Sequence, residues 1–586
     1  MGSQRRAPPN REPLECLLML SLSPTAPTAL ASPFRPPVAL AMALCCCSLS
    51  SLAQAQAPTT ATPPADPIAA LQALAVEKNQ SDWGHWGPAP DKYSSWTTHS
   101  NRLIPVFTFG INLQAYSGAN SPYRVPAKIE KIYGYLPTQT VNPDAEYFDQ
   151  TDLYHLQKQA IQAGKKRVIL FIFDGMDWQT IRAAAIAKTG QVTYDSGRGN
   201  GLAFQDYQGT ETDFGYMVTS PHNNGTNINV DTQTVNNPGG KTPGGYDVSR
   251  GGATPWADFP DATYPIAGGD GEKHAYTDSS SSAASMTCGI KTYNNAVNVD
   301  FSGREALSIA RDVQGEGFAV GVVTSVPIAH ATPACAYASN VERDDYQDLT
   351  RDLIGRPSIF HPGGLPGVDV LIGAGWGEMS EKDGSQGANF VPGNRYITAE
   401  DQAAINVANG GQYVIAERTP RLLGAEVLDA AVQQAVRGKH RLFGLFGVRG
   451  GHLPYRTADG RYNPVASVGN SEAAQAEVYS VADIVENVTL AQMTIAAVEV
   501  LNAKSDRWWL MIEAGDVDWA NHGNNIDNSI GAVRSGDHAF QRLTAWIEAH
   551  GGWDDTCLIL TADHGHYLVL DRPEALTVGA VNDNSN

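Results

Sequence analysis

Cysteine is scarce where it could matter. Of seven cysteines, Cys16, Cys45, Cys46 and Cys47 fall in the first 57 residues, which leaves Cys288, Cys335 and Cys557. Three cysteines allow at most one disulfide, and no CxxC spacing offers a thiolate cage for a metal. The fold therefore rests on its core. Basic residues are also in short supply: 41 Lys and Arg face 61 Asp and Glu, a formal net charge of -20. A surface of that sign repels a phosphate backbone, so nucleic acid is excluded as a bulk electrostatic partner. There is no internal repeat, and no membrane span is expected in the mature chain. What is present is length and apolar content: 586 residues, 42% of them hydrophobic, enough for a large domain with insertions or for two domains.

Residues 1–57 read as a leader. Arg5, Arg6, Arg11 and Arg35 precede an apolar run, PVALAMALCCCSLSSLAQAQA, with Ala-x-Ala sites ending at Ala55 or Ala57. That pattern is an export signal, so a periplasmic or extracellular location is expected. The long stretch ahead of the run leaves the true start codon open. Losing the leader removes four arginines and two glutamates and takes the net charge to -22. Residues 58–165 read as a Pro/Thr/Ala linker and an irregular N-terminal arm, ending in a helix near 152–163. Residues 166–586 read as the main domain.

There a rhythm begins. RVILFIF at 167–173 is a continuous apolar run, the mark of a strand buried on both faces. Similar runs follow at 318–323, 368–372, 441–446, 508–512 and 557–560, with helical stretches at 178–188, 425–436, 474–503 and 525–550 between them. Short buried strands alternating with helices predict a three-layer α/β/α sandwich around a mainly parallel sheet. Residues 190–273, rich in Gly, Asn, Thr and Asp, read as a long loop insertion, with strand pairs left open, lying over the sheet edge.

Several predicted strands run straight into polar clusters, and in open α/β sheets ligands bind at the carboxyl ends of strands. Asp174 ends the first strand, as a helix-capping acid or a metal ligand. His330 and Thr332 follow the second. Glu513, Asp518 and His522 lie within ten residues after WWLMI, a density of hard-cation and zinc ligands that surface solvation does not explain. Asp563, His564 and His566 follow CLILTA, where Gly565 permits an irregular turn. Arg343 is either a salt-bridge partner of Asp344 or Asp345 or a bidentate phosphate fork. The stretch 274–297 carries Asp278 and four serines, Ser279 to Ser282, ahead of small residues. It reads as a Ser-rich loop entering a helix, whose first turn favours an anion.

Taken together these residues resemble the alkaline phosphatase family. TDSSSSAASMTCG is similar to its nucleophile loop, FDGM to its first metal-ligand strand, and HAT followed by Arg343 thirteen residues after His330 to its magnesium and phosphate-binding segment. EAGDVDWANH and TADHGH are similar to its two later metal motifs, and the order holds from about Val168 to His566. The resemblance implies a two-zinc, one-magnesium site. Asp174, Asp563 and His564 would hold the zinc beside Ser279, the nucleophile. Asp518 and His522 would hold the other zinc. His330, Thr332 and Glu513, with Asp174 bridging, would hold magnesium. Arg343 would clamp phosphate; Asp278, His566 and Trp519 would support these groups from behind. The implied activity is hydrolysis of small phosphate monoesters through a phosphoserine, with a homodimer left open. The alternatives are a related phosphodiesterase or sulfatase, or an impaired secreted metal- or phosphate-binding protein.

The chain departs from the family pattern at Ala284, where Thr is common, at His330, where some members have Asp, and at Trp519, where others carry Lys or His. The largest departure concerns the outer zinc. The family supplies its third ligand from a His well beyond the Asp-His motif, and here His566 is the last histidine. A truncated product, a water, or an upstream His are the readings left open.

Overall fold

The computed structural model describes residues 66–224, 226–236, 242–266 and 275–579. The expected leader, His274 and the final seven residues lie outside them. Ten strands build the central sheet: β1 (Ile104–Phe109), β2 (Phe148–Asp149), β3 (Arg167–Phe173), β4 (Thr212–Val218), β5 (Ala319–Pro327), β6 (Val370–Ala374), β7 (Tyr413–Glu417), β8 (Arg441–Leu445), β9 (Trp508–Ala514) and β10 (Thr556–Thr561). Across the sheet they lie in the order β7-β8-β6-β5-β9-β3-β10-β1-β4-β2. From β7 to β10 every neighbouring pair is parallel. β1 then runs antiparallel to both β10 and β4, and β2 is parallel to β4. The sheet is mainly parallel, as the apolar runs predict.

Helices cover both faces, and the strand pleat shows why. Adjacent residues of a strand point to opposite sides. Trp508 packs against Trp546 of the helix Ile526–Ala549, with ring centroids 6.1 Å apart. Its neighbour Trp509 instead donates its indole N–H, at 2.8 Å, to Gln157 of the helix Thr151–Gln162 on the other side. The helices Gly424–Gly438 and Leu490–Lys504 share the first layer; Ser279–Cys288 packs in the second, against Thr151–Gln162. Residues such as Val168, Leu170, Phe171 and Ile512 are fully buried between them. That is why these strands need continuous apolar runs rather than alternation.

Three expectations are corrected. The N-terminal arm is not merely irregular: residues 104–109 form β1, inserted between β10 and β4. The stretch 190–273 does not only lie over the sheet edge, as a loop with strand pairs would: residues 212–218 form β4 of the same sheet. The helix expected over 474–503 is two helices, Val481–Val485 and Leu490–Lys504, because Thr489 starts the second by capping the N–H of Gln492. The stretch Val481–Lys504 is apolar enough to cross a bilayer by length and composition, but 67% of its most apolar window is buried inside the protein.

The parallel order brings the four strands that end in polar clusters side by side, as β5-β9-β3-β10. Thr324 of β5 is level with Glu513 of β9, Ala514 of β9 with Phe173 of β3, and Thr561 of β10 with Ile172 of β3. Asp174, Glu513, His330 and Asp563 therefore leave the sheet at one edge.

The Ile526–Ala549 helix must approach a backbone closely. A Cβ at Gly531 would lie 2.1 Å from the carbonyl oxygen of Arg456. In a free helix Gly→Ala gains about 1 kcal/mol, but a backbone clash in a packed layer costs about 1–3 kcal/mol. Gly531→Ala is thus expected to lower stability in urea denaturation. Gly315→Ala, where a Cβ meets nothing within 4 Å, is expected to be neutral or stabilising.

Candidate active site and metal centre

Asp278 organises the serine stretch. It is the N-cap of the Ser279–Cys288 helix, accepting from the N–H of Ser281 at 2.9 Å, and Gly289 ends the helix in the left-handed region at φ 71°. The same carboxylate accepts from Ser280 Oγ at 2.7 Å, from the N–H of Asn295 at 3.0 Å and from Arg343 Nη1 at 3.0 Å. Burial alone would raise this acid, but the Arg343 guanidinium and these donors hold it below the usual carboxylate range. Arg343 therefore pairs with Asp278 rather than with its sequence neighbours Asp344 or Asp345.

The four serines separate by what they touch. Ser280 is bound to Asp278, Ser281 to Asn294 Oδ1 at 2.9 Å, and Ser282 to Gln150 Oε1 at 2.8 Å and to the carbonyl of Asp563. Ser279 alone aims at the sheet edge: its Oγ lies 3.4 Å from Asp174 Oδ1 and 3.2 Å from His564 Nε2.

Among the described residues, two groups of acid and imidazole side chains each gather ligand atoms within 4.8 Å of one another. The first is Asp174, Asp563 and His564, all buried, with His564 Nε2 3.1 Å from Asp174 Oδ1. Asp563 Oδ1 accepts the N–H groups of Gly175 and His564, while Oδ2 of both aspartates is buried without a partner. Burial, then the neighbouring Asp518 and Glu513, push the Asp174 carboxyl well up; burial, then Asp174, do the same to Asp563.

The second group is His99, Asp518, His522 and His566. His566 Nε2 lies 2.7 Å from Asp518 Oδ1, and His522 Nε2 lies 3.5 Å from it. Burial would raise Asp518, but the His522, His566 and His564 imidazoles hold it well below the usual range. His99 comes from the N-terminal arm; sequence reasoning left an upstream histidine open without naming it. The signal for it, a lone His in WTTHSN, has no strand-to-cluster pattern around it.

His330, Thr332 and Glu513 do not form a third group of acids and imidazoles. His330 Nδ1, Thr332 Oγ1 and Glu513 Oε1 are nonetheless all buried without a partner, and Glu513 Oε2 accepts from Thr324. Burial, then Asp563 and Asp518, push Glu513 up to about 8. Burial, then the Arg343 charge, push His330 down to about 3. Trp519 stands edge-on to His330 at 5.7 Å. A cavity of about 370 Å³ opens here, lined by His330, Arg343, Trp519, Asp518, His522 and Arg395.

The donor set fits divalent cations. Asp174 Oδ2, Asp563 Oδ2, Glu513 Oε1 and His330 Nδ1 are buried without a protein partner, at a cost that a cation would remove. Zinc accepts this mixture of His nitrogen and carboxylate oxygen.

A family model described as "Alkaline phosphatase" matches residues 265–577, just over half of the chain. The matched span holds every site residue from Ser279 to His566; Asp174 and His99 precede it. Among characterised proteins, the chain is 27% identical to alkaline phosphatase 3 of Bacillus subtilis (strain 168) over 302 residues, 52% of this chain and 51% of that one. It is 28% identical to alkaline phosphatase H of Pseudomonas aeruginosa (strain UCBPP-PA14) over 318 residues, 52% and 60% of the two chains. Similarity thus spans about half to three-fifths of these relatives. Among solved structures, Thermus thermophilus alkaline phosphatase aligns over 70% of this chain and 62% of its own, with 20% identity and a TM-score of 0.40. The order of the motifs along the chain and the reach of the family model agree: the chain belongs to the alkaline phosphatase family.

Proposed function

We propose that this protein hydrolyses phosphate monoesters through a phosphoserine formed on Ser279. The observation that carries the reading is the direction of the Ser279 hydroxyl, towards the candidate metal ligands rather than its own helix. Three of the four serines are committed to structural hydrogen bonds, and the fourth faces Asp174 and His564 at 3.4 Å and 3.2 Å.

In this reading Asp174, Asp563 and His564 would hold one zinc, Asp518 and His522 would hold the other, and His330, Thr332 and Glu513, with Asp174 bridging, would hold magnesium. Bound there, the cations supply the positive charge that lowers the pKa of a hydroxyl and stabilises a departing alkoxide. The chain's own residues do the rest. Ser279 Oγ gives up its proton to water and attacks phosphorus in line as the bond to the ester oxygen breaks, and the departing oxygen takes a proton from water to leave as the alcohol. Arg343 binds two non-bridging oxygens of the phosphoryl group with its fork, and Asp278 keeps that fork oriented. The first-turn N–H groups of the Ser279–Cys288 helix add partial positive charge on the same side. Water then cleaves the phosphoserine and frees phosphate.

The leaving group would lie in the cavity beside Trp519, which has room for small esters rather than one enclosing shape. Arg343 favours a dianionic monoester over a diester, because its fork fills the space a second ester substituent would need. The leader-like residues 1–57 support export, to the periplasm or beyond.

Ser279→Ala is expected to reduce turnover of an aryl phosphate by about a thousandfold or more, since groups that act as a unit lose most of their effect together. Zinc content measured by mass spectrometry should be unchanged. Equal hydrolysis by wild type and variant would exclude Ser279 as nucleophile.

Arg343→Ala is expected to weaken inhibition by inorganic phosphate by about 10- to 100-fold, as loss of a charge-assisted bidentate contact does. Arg343→Lys should recover only part of it, lacking the fork. An unchanged inhibition constant in both variants would remove Arg343 from the phosphate site.

A further inference from the structure

The second ligand group is held together from both ends of the chain. His522 Nδ1 donates to the carbonyl oxygen of Thr97 at 2.7 Å, which turns Nε2 towards the ligand group. Facing that nitrogen, at 3.0 Å, is Nε2 of His99. Asp518 Oδ1 lies 3.8 Å from His99 Nε2 and 3.5 Å from His522 Nε2. His566 donates to the same carboxylate at 2.7 Å and fixes its direction. Two nitrogens and an oxygen thus converge on one point. Zinc bonds of about 2.0–2.1 Å set tetrahedral ligand atoms about 3.3 Å apart, close to what is found here without repacking.

The placement of His99 is built rather than incidental. Its backbone pairs with that of His566 in a short antiparallel bridge, Gly565–His566 against His99–Ser100. Its carbonyl accepts from the Trp96 indole at 2.9 Å. Its ring lies against that of His564, with centroids 3.9 Å apart, and the residue is 8% exposed. The arm on either side is tied to the main domain: Asn524 donates to Ser94 Oγ at 2.7 Å and to the Trp96 carbonyl at 2.8 Å, and Arg102 pairs with Asp177 at 2.8 Å.

We infer that His99 is the third protein ligand of the metal held by Asp518 and His522, and that this metal staples the N-terminal arm to the catalytic edge. The inference rests on the reading of that group as a metal site. It draws that ligand from a position 423 residues before His522. It also means that metal loading and the order of the arm are one equilibrium: stripping the metal removes a bond between the arm and the core, and displacing the arm removes a ligand.

The test uses the full chain and zinc itself. Zinc is titrated against a chromophoric competitor into wild type and His99→Ala, and amide exchange is followed over residues 85–103 with and without chelator. Wild type is expected to bind two zinc ions tightly, with the arm protected until chelator is added. His99→Ala should keep one tight zinc, bind the other about 100-fold more weakly, and exchange its arm amides as the chelated wild type does. Should His99→Ala fail to fold, His99→Cys keeps a competent ligand, and its cobalt(II) form should show a thiolate-to-cobalt charge-transfer band. Two zinc ions held by His99→Ala as tightly as by wild type, or fully loaded His99→Cys without that band, would overturn the inference and leave the phosphatase reading standing. Wild type that binds no zinc at all would overturn both.

Discussion

Four carboxyl groups, Asp174, Glu513, Asp518 and Asp563, lie in the interior at one edge of the sheet, each 4% exposed or less. Negative charges that close together, out of water, cannot all be carried without compensation. The protein itself brings little of it. Arg343 already serves Asp278, and burial pushes the His99, His330 and His566 imidazoles towards the neutral form. Three of the four acids are accordingly pushed up towards the protonated state, while Asp518, ringed by imidazoles, stays low. A pattern so unfavourable alone makes physical sense as a receptacle for cations. The parallel packing of β5, β9, β3 and β10 exists to set these acids at one level.

The same constraint explains the division of labour in the serine stretch. A nucleophile must face the charged edge with nothing else on its oxygen, yet a helix start leaves backbone N–H groups that want a cap. Asp278 takes the cap, and Ser279, one residue on, is left to face Asp174 and His564, as the proposed nucleophile must. Asp278 also anchors Arg343, so a single carboxylate orients both the helix bearing the hydroxyl and the cation facing it. Breaking a buried pair of this kind costs about 3–5 kcal/mol. Asp278 is therefore a structural residue whose loss would be read as a catalytic one.

Much of this was legible in the sequence. The strands β3, β5, β6, β8, β9 and β10 announce themselves because burial on both faces demands unbroken apolar runs, and RVILFIF is β3 to the residue. The Ser279–Cys288 helix follows from Asp278 and Gly289, which act locally as cap and stop. Where tertiary pairing decides, the sequence is quiet. β1 contains Pro105, and β4 contains Gly215, residues that argue against strands. Gly215 is required here because it sits under Phe148 and Leu113, where a Cβ would meet a ring atom at 3.1 Å and a methyl at 2.9 Å. The helix expected through 474–503 fails at Thr489, a strong capping residue inside an apolar stretch. His99 was illegible for a similar reason: its role comes from pairing with His566, not from its neighbours in the chain.

That pairing has an entropic side. Bringing His99 to His522 closes a loop of 423 residues, which by chain statistics costs about 5 kcal/mol. A single zinc–nitrogen bond need not supply all of it. β1 lies a few residues on, and Ile104, Val106, Phe107 and Phe109 are each buried to within 1% of completion. At about 1.5–3 kcal/mol for each large apolar side chain, the strand alone exceeds the closure cost. Docking of the arm is therefore carried by the sheet, and the segment 94–100 is left to be positioned by a handful of hydrogen bonds and the ligand itself. A strand for affinity and an imidazole for geometry is an economical way to complete a site at the carboxyl edge with residues from the opposite end of the chain.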